Sequence, residues 1–220
     1  MDRITGAAEA FDLHADEYDR WFESPGGKAL FEAEVEAVRA LMGGLKQPFL
    51  EVGVGSGRFA EALGIGHGID PSEAMVEMAR KRGVDATKGA GEALPFEDGS
   101  FGGVFMLFTL CFVDDPATVL AEAGRVLRPD GGLVVGIINR ESPWGLLYAR
   151  KKSEGHPLYA HARFHSPGEV VGMLGGCGMA VEAFSSTLLG APAGNPRGGP
   201  VFKGLREGAG FICILSRKAH

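Results

Sequence analysis

Cysteine is scarce, with only Cys111, Cys177 and Cys213 among 220 residues. Three scattered thiols without a Cys-x-x-Cys pair exclude a disulfide framework and a zinc knuckle, so no metal is expected and a reducing, cytoplasmic location is. Long apolar stretches are missing too: the longest, "VFMLFTLCFV" at 104–113, falls far short of the roughly 20 residues that span a bilayer. The opening "MDRITGAAEAFDLHADEYD" has neither a basic start nor an apolar run, so neither a signal peptide nor a membrane anchor is expected. Positive charge is in deficit, 22 Lys and Arg against 28 Asp and Glu for a net −6. That balance argues against DNA or RNA and favours a small-molecule partner.

What is present in excess is glycine, 35 residues, about twice the usual ~7%, without a triplet period. With 45% hydrophobic and 23% charged residues the chain is expected to fold, and its length favours a single domain over 1–220. Phe11, Ala15, Tyr18 and Phe22, then Phe31, Val35, Val38 and Met42, recur at helical spacing and predict two amphipathic helices before Gly43. From there strands and helices alternate. Strands are predicted at 48–54, 66–70, 84–88, 101–110, 131–138, 180–187 and 209–216. Helices are expected over "GRFAEAL", over 71–82 with Asp70 as N-cap and Pro71 in the first turn, and over 117–127. Ser166-Pro167-Gly168-Glu169 carries a capping box that predicts a helix over 167–176. The seven glycines and three prolines of 190–210 read as a surface loop, a flexible lid or a plain linker. The alternation implies a mainly parallel sheet covered on both faces, with ligands at the carboxyl ends of its strands near the topological switch point.

The chemistry concentrates in "EVGVGSGRFA" at 51–60, where Gly53, Gly55 and Gly57 sit between a strand and a helix and let backbone approach a ligand. A dinucleotide fingerprint would need glycine at 58, where Arg58 stands, which weakens a nicotinamide-dependent oxidoreductase without removing it as the alternative. The next strand ends in Asp70, and a carboxylate there accepts hydrogen bonds from both hydroxyls of a ribose. An adenosine moiety is indicated.

These residues, with "GIDPSEAMVEMARKRG" at 68–83, "GEALPFEDGSF" at 91–101, "FVDDP" at 112–116 and "RVLRPDGGLVV" at 125–135, resemble class I S-adenosylmethionine-dependent methyltransferases. The similarity is greatest to the group related to ubiquinone/menaquinone biosynthesis C-methyltransferases. The resemblance implies a doubly wound, Rossmann-like α/β fold whose mostly parallel seven-stranded sheet has an antiparallel last strand. It also implies a helical cap over 1–45, a cofactor-binding half over 46–140 and a substrate-side half over 141–220. S-adenosylmethionine would be the cofactor and a small molecule the methyl acceptor; a protein that binds the cofactor without turnover is a further alternative. By the same resemblance Glu51, Gly53, Val54, Gly55 and Gly57 cradle the methionine part, and Asp70, followed by Pro71, takes the ribose. Met75 covers one face of adenine, Gly91 and Glu92 lie at its edge, and Thr109, Leu110 and Cys111 end the fourth strand by the donor methyl. Two positions depart from the pattern. Ala90 stands where many members have an acid for the adenine amino group, and Gly102 replaces an aspartate that often follows Phe101.

No fixed catalytic residue is legible, because methyl transfer from a sulfonium needs mainly alignment and exclusion of water. Substrate-pocket candidates are Tyr18, Trp21, Cys111, His161 and Arg163. His161 and His165 have helical metal-ligand spacing but lack the intervening glutamate of H-E-x-x-H, and read as a loop bordering the pocket. Tyr18, Trp21 and Phe22 also suit a helix docking on the core, His14 reads as solvated, and Cys111 as an inert lining thiol. Arg80-Lys81-Arg82 and Arg150-Lys151-Lys152 read as solvated faces.

Overall fold

Buried residues alternate along the central strands. In β1 (Phe49–Val52) Leu50 and Val52 enter one core while Phe49 enters the other, and in β4 (Phe101–Leu107) Val104 and Met106 oppose Phe105 and Leu107. Both faces are therefore apolar, which a strand tolerates only when helices cover both sides. The computed structural model describes residues 3–192 and 198–219, and the side chains from residue 6 onward. The other strands are β2 (His67–Asp70), β3 (Asp85–Lys88), β5 (Leu127–Ile138), β6 (Met179–Thr187), β7 (Phe202–Lys203) and β8 (Phe211–Lys218). They form one sheet in the order β3-β2-β1-β4-β5-β8-β6-β7, in which β1 to β5 run parallel and β8 is antiparallel to both β5 and β6.

Helices α2 (Pro25–Arg39), α3 (Arg58–Leu63) and α4 (Glu73–Lys81) contribute Val38, Phe59 and Val76 to one core. On the other face α5 (Pro116–Val126) and α7 (Pro167–Gly176) contribute Leu120 and Leu174. Each such side chain removed from water contributes about 1.5–3 kcal/mol. The capping box of α7 is realised: Ser166 Oγ accepts from Glu169 N at 3.2 Å and Glu169 Oε2 accepts from Ser166 N at 2.7 Å. The chain order reverses between β1 and β4, and Thr109 Oγ1 donates to Val52 O at 2.8 Å across that switch point.

Several details differ from the sequence reading. An eighth strand joins the seven expected ones: β7 pairs with Ser185 and Ser186 of β6, inside a stretch whose glycines and prolines hide it. Residues 193–197 of that stretch lie outside the described residues. Helix α6 (Pro143–Ser153) was not anticipated, because only Trp144 and Gly145 are buried and no apolar stripe marks it; its Ser142 cap and Pro143 start are the signal. Strand β4 stops at Leu107, not 110, since Phe108 turns into the left-handed region at φ 61°. Helix α4 is capped by Ser72, whose Oγ accepts from Met75 N, and not by Asp70. Of the two N-terminal helices α1 (Arg3–Trp21) packs on α4, whereas α2 packs against α3, β6 and β8.

Gly102 sits where an added Cβ would lie 1.9 Å from Lys46 O, so this chain has no room for the aspartate that often follows Phe101. Gly102→Asp is expected to destabilise the fold by about 1–3 kcal/mol or more, read as a fall of several degrees in Tm; an unchanged Tm would contradict this packing.

Candidate functional site

The loop after β1 is fastened before it reaches the site, because Gly53 N and Val54 N both donate to Ile69 O, at 2.8 and 3.0 Å. Gly53 leaves room for Thr109, whose Oγ1 would stand 2.5 Å from a Cβ there. Gly55, at φ 51° with no atom within 4 Å of an added Cβ, presents bare backbone, and its N–H donates to Asp70 Oδ2 at 2.9 Å. Asp70 Oδ1 accepts from Ser72 N at 3.0 Å. Burial pushes the Asp70 carboxyl up to about 6 even though these two N–H groups pull it down. Behind the loop Glu51, 1% exposed, keeps Oε2 unpartnered, and burial followed by the charge of Asp70 raises it well above the usual carboxylate range.

Helix α1 forms the roof and is pinned at two points. Asp12 Oδ1 accepts from Ser72 Oγ at 2.5 Å and Ala74 N at 3.0 Å, fixing the helix to the start of α4. Asp19 takes Arg58 Nε at 2.7 Å and the Nη2 atoms of Arg58 and Arg82 at 2.9 Å. Burial opposes ionisation of Asp19, but hydrogen bonds from Arg58, Ser56 and Arg82 hold it at about 2. Arg58 also meets Glu23, and Arg82 Nη1 donates to Ser56 O at 2.7 Å, so the glycine loop and the roof share one ion network. Between the pins α1 kinks at His14. Arg82 is thus a clamp and not part of a solvated face.

Roof and strand ends border a partly open cavity of about 600 Å³. Of the sequence-predicted cofactor residues, Gly53, Gly55, Asp70, Pro71, Met75, Gly91, Glu92 and Thr109 line it. Glu51 and Val54 lie behind the loop, Val54 against Gly68, and Gly57 backs onto Ala79. Glu92 Oε1 is buried without a partner, and Ala90 also borders the space. Of the predicted substrate residues Tyr18, Trp21 and Cys111 line it. His161 and Arg163 do not: the His161 ring packs beneath Gly6, and Arg163 is exposed, tied by its N–H to Cys111 O at 2.6 Å. His165 is buried beside the wall, not paired with His161, and no cluster of metal-ligand type occurs among the described residues.

The sequence reading missed the wall opposite the glycine loop. Glu34, Phe108, Tyr148, Lys151, His156 and Tyr159 border it. The Tyr148 and Tyr159 rings meet edge to face at 4.8 Å, and Lys151 Nζ lies 5.1 and 5.6 Å from their centroids. Burial lowers Lys151, and burial followed by the Lys151 charge lowers His156, whose Nδ1 is unpartnered. Burial pushes the Cys111 thiol up to about 12, so it is no nucleophile at neutral pH. Lys151 is therefore a wall residue, contrary to its reading as solvated surface.

Residues 50–135 match the family described as a methyltransferase domain. The crystal structure of a Thermotoga maritima protein, an S-adenosylmethionine-dependent methyltransferase described as a possible histamine N-methyltransferase, superposes with a TM-score of 0.87. It is 39% identical and covers 96% of this chain and 99% of its own. The chain belongs to the S-adenosylmethionine-dependent methyltransferases. An uncharacterised protein of Mycobacterium tuberculosis is 43% identical to this methyltransferase over 94% of the chain and 73% of its own length. A demethylmenaquinone methyltransferase of Renibacterium salmoninarum is 31% identical over 62% of the chain and 60% of its own. The methyltransferase's cofactor is accordingly S-adenosylmethionine.

Asp19→Ala in the methyltransferase removes both guanidinium partners of the roof and is expected to speed S-adenosylhomocysteine release about tenfold in stopped-flow measurements, consistent with the loss of a charge-assisted contact of about 1.5 kcal/mol. An unchanged off-rate would show that the roof does not hold the nucleoside.

Proposed function

We propose that this methyltransferase acts on a small-molecule acceptor held beneath α1, beside S-adenosylmethionine. The cavity of about 600 Å³ carries this reading, since it suits a cofactor and a compact acceptor and is roofed by a clamped helix. In this reading Asp70 accepts the ribose hydroxyls, and Gly53, Gly55 and Thr109 flank the methionine part with Glu51 behind them. Met75 covers the adenine, and Gly91 and Glu92 meet its edge. The residues suit such a group: Gly55 offers bare backbone, Asp70 keeps free lone pairs, and Glu51 and Glu92 each hold an oxygen in need of a donor. Ala90 provides no acid for the adenine amino group, and the unpartnered Glu92 Oε1 is the nearby acceptor that can take its place.

When bound, the cofactor supplies an electrophilic methyl group on a sulfonium sulfur. The chain's contribution is alignment and exclusion of water, which together account for much of the acceleration such a reaction needs. The clamped roof limits the access of solvent, and the rings of Tyr18, Phe108 and Tyr148 border the acceptor space. Phe108 holds its place at φ 61°, a strained conformation costing about 1–3 kcal/mol that its stacking on Phe211 at 4.8 Å helps to offset. The oxidoreductase alternative has no support, and Arg58, which breaks the dinucleotide glycine pattern, is committed to Asp19 and Glu23.

Asp70→Ala is expected to weaken S-adenosylhomocysteine binding at least a hundredfold by calorimetry, from two hydrogen bonds to a charged group at about 1.5–3 kcal/mol each. Affinity within threefold of wild type would remove the ribose assignment. Turnover of radiolabelled S-adenosylmethionine with thiols, phenols, quinol precursors and small amines, histamine included, is expected to label a member of the panel. Label entering only added protein or nucleic acid would contradict the small-molecule reading.

A further inference from the structure

Glu34 stands on α2 one turn after Leu30 and one turn before Val38, both buried, so an acid occupies a position on the helix's packed face. It is 7% exposed and borders the cavity alongside Leu107, Phe108 and Ile138. Among the described residues its carboxyl receives no hydrogen bond and no ion pair. Lys151, which borders the same wall, lies over the Tyr148 and Tyr159 rings and is not paired with it. Burial alone raises the Glu34 carboxyl to about 8. A buried acid without a countercharge is costly to keep, and proteins keep one where a ligand completes it.

Its place along the cavity follows from the sheet order, since α2 packs against β8 and β6 while Asp70 ends β2, with β1, β4 and β5 between them; the Tyr18 hydroxyl, which burial raises first, feels both Glu34 and Asp70. At the glycine-loop end Glu51 feels the charge of Asp70 and Asp70 that of Asp12, and neither is influenced by Glu34. Glu34 instead acts on Tyr148 of the same wall and on Cys213 of β8. It therefore belongs to the space beyond the cofactor. A hydroxyl could satisfy one carboxyl oxygen, but a cation supplies the missing charge as well, and the π faces of tyrosines favour a cation within about 6 Å.

We propose that Glu34, with the rings of Tyr18 and Tyr148 bordering the same cavity, anchors a positively charged amino group of the methyl acceptor, which makes the acceptor a compact amine. This rests on the small-molecule reading above and names the acceptor's class. Calorimetry with saturating S-adenosylhomocysteine tests it, using primary amines from butylamine to 2-phenylethylamine, each beside its alcohol isostere. At least one amine is expected to bind tenfold or more tightly than its alcohol. In Glu34→Gln that preference collapses towards unity while affinity for S-adenosylhomocysteine is retained, which also reports an intact fold. Glu34→Asp, keeping the charge but withdrawing it by one methylene, is expected to weaken the amine and not the alcohol. Absence of amine binding throughout, or an amine preference that survives in Glu34→Gln, overturns the assignment. So does a Glu34→Gln variant that weakens S-adenosylmethionine but not S-adenosylhomocysteine, since Glu34 would then serve the sulfonium. Alcohols or phenols bound without amine preference overturn this inference and leave the small-molecule reading standing; methyl label found only on macromolecules overturns that reading itself.

Discussion

The buried carboxylate of Asp70 is the junction on which the site depends. One oxygen fixes the bare backbone of Gly55 and the other the first turn of α4, and Ser72 passes the connection on to Asp12 of the roof. Strand end, glycine loop, helix start and lid are thus arranged around one acidic side chain only 8% exposed. The arrangement is unfavourable in the empty protein. A carboxyl whose folded pKa lies near 6, above its ordinary 3.8, gives the fold most support when protonated, and that support is lost as pH rises through about 6. The protein therefore holds an ionised acid at neutral pH against its own stability, and hydroxyl donors from a bound nucleoside would relieve it.

The same trade recurs around the cavity. Glu34 is kept on an apolar helix face, where its contribution to stability falls away as pH rises through about 8, and Phe108 is held in a left-handed conformation. Such local violations of folding preference cluster where a structure is organised for a ligand. The clamp around Asp19 acts in the opposite sense. Its carboxyl sits at about 2, so the contacts to Arg58 and Arg82 persist at neutral pH and fail only as pH falls from about 4 through 2.

Much of this was legible in the chain. The continuous apolar runs of β1 and β4, the glycine loop, the strand-terminal Asp70 and the capping box of α7 are local signals, and each maps to a local physical cause. What escaped the sequence was tertiary. Nothing near Arg82 indicates that it reaches Asp19, 63 residues away, and nothing near Lys151 indicates that it covers two tyrosines. His161 and Arg163 are neighbours in sequence of Phe164, which does line the cavity, yet the chain turns their side chains elsewhere. Glu34 had a usable signal, an acid one turn from both Leu30 and Val38, but it is not itself a member of the apolar stripe through Phe31, Val35, Val38 and Met42.

The pH dependence of S-adenosylhomocysteine affinity tests the central role of Asp70 most directly. Ribose hydroxyls donate to the ionised carboxyl, so the wild-type Kd is expected to rise by up to about tenfold per pH unit below about 6, and this slope is expected to vanish in Asp70→Asn. A wild-type affinity that stays level from pH 7.5 to 5 would contradict the account.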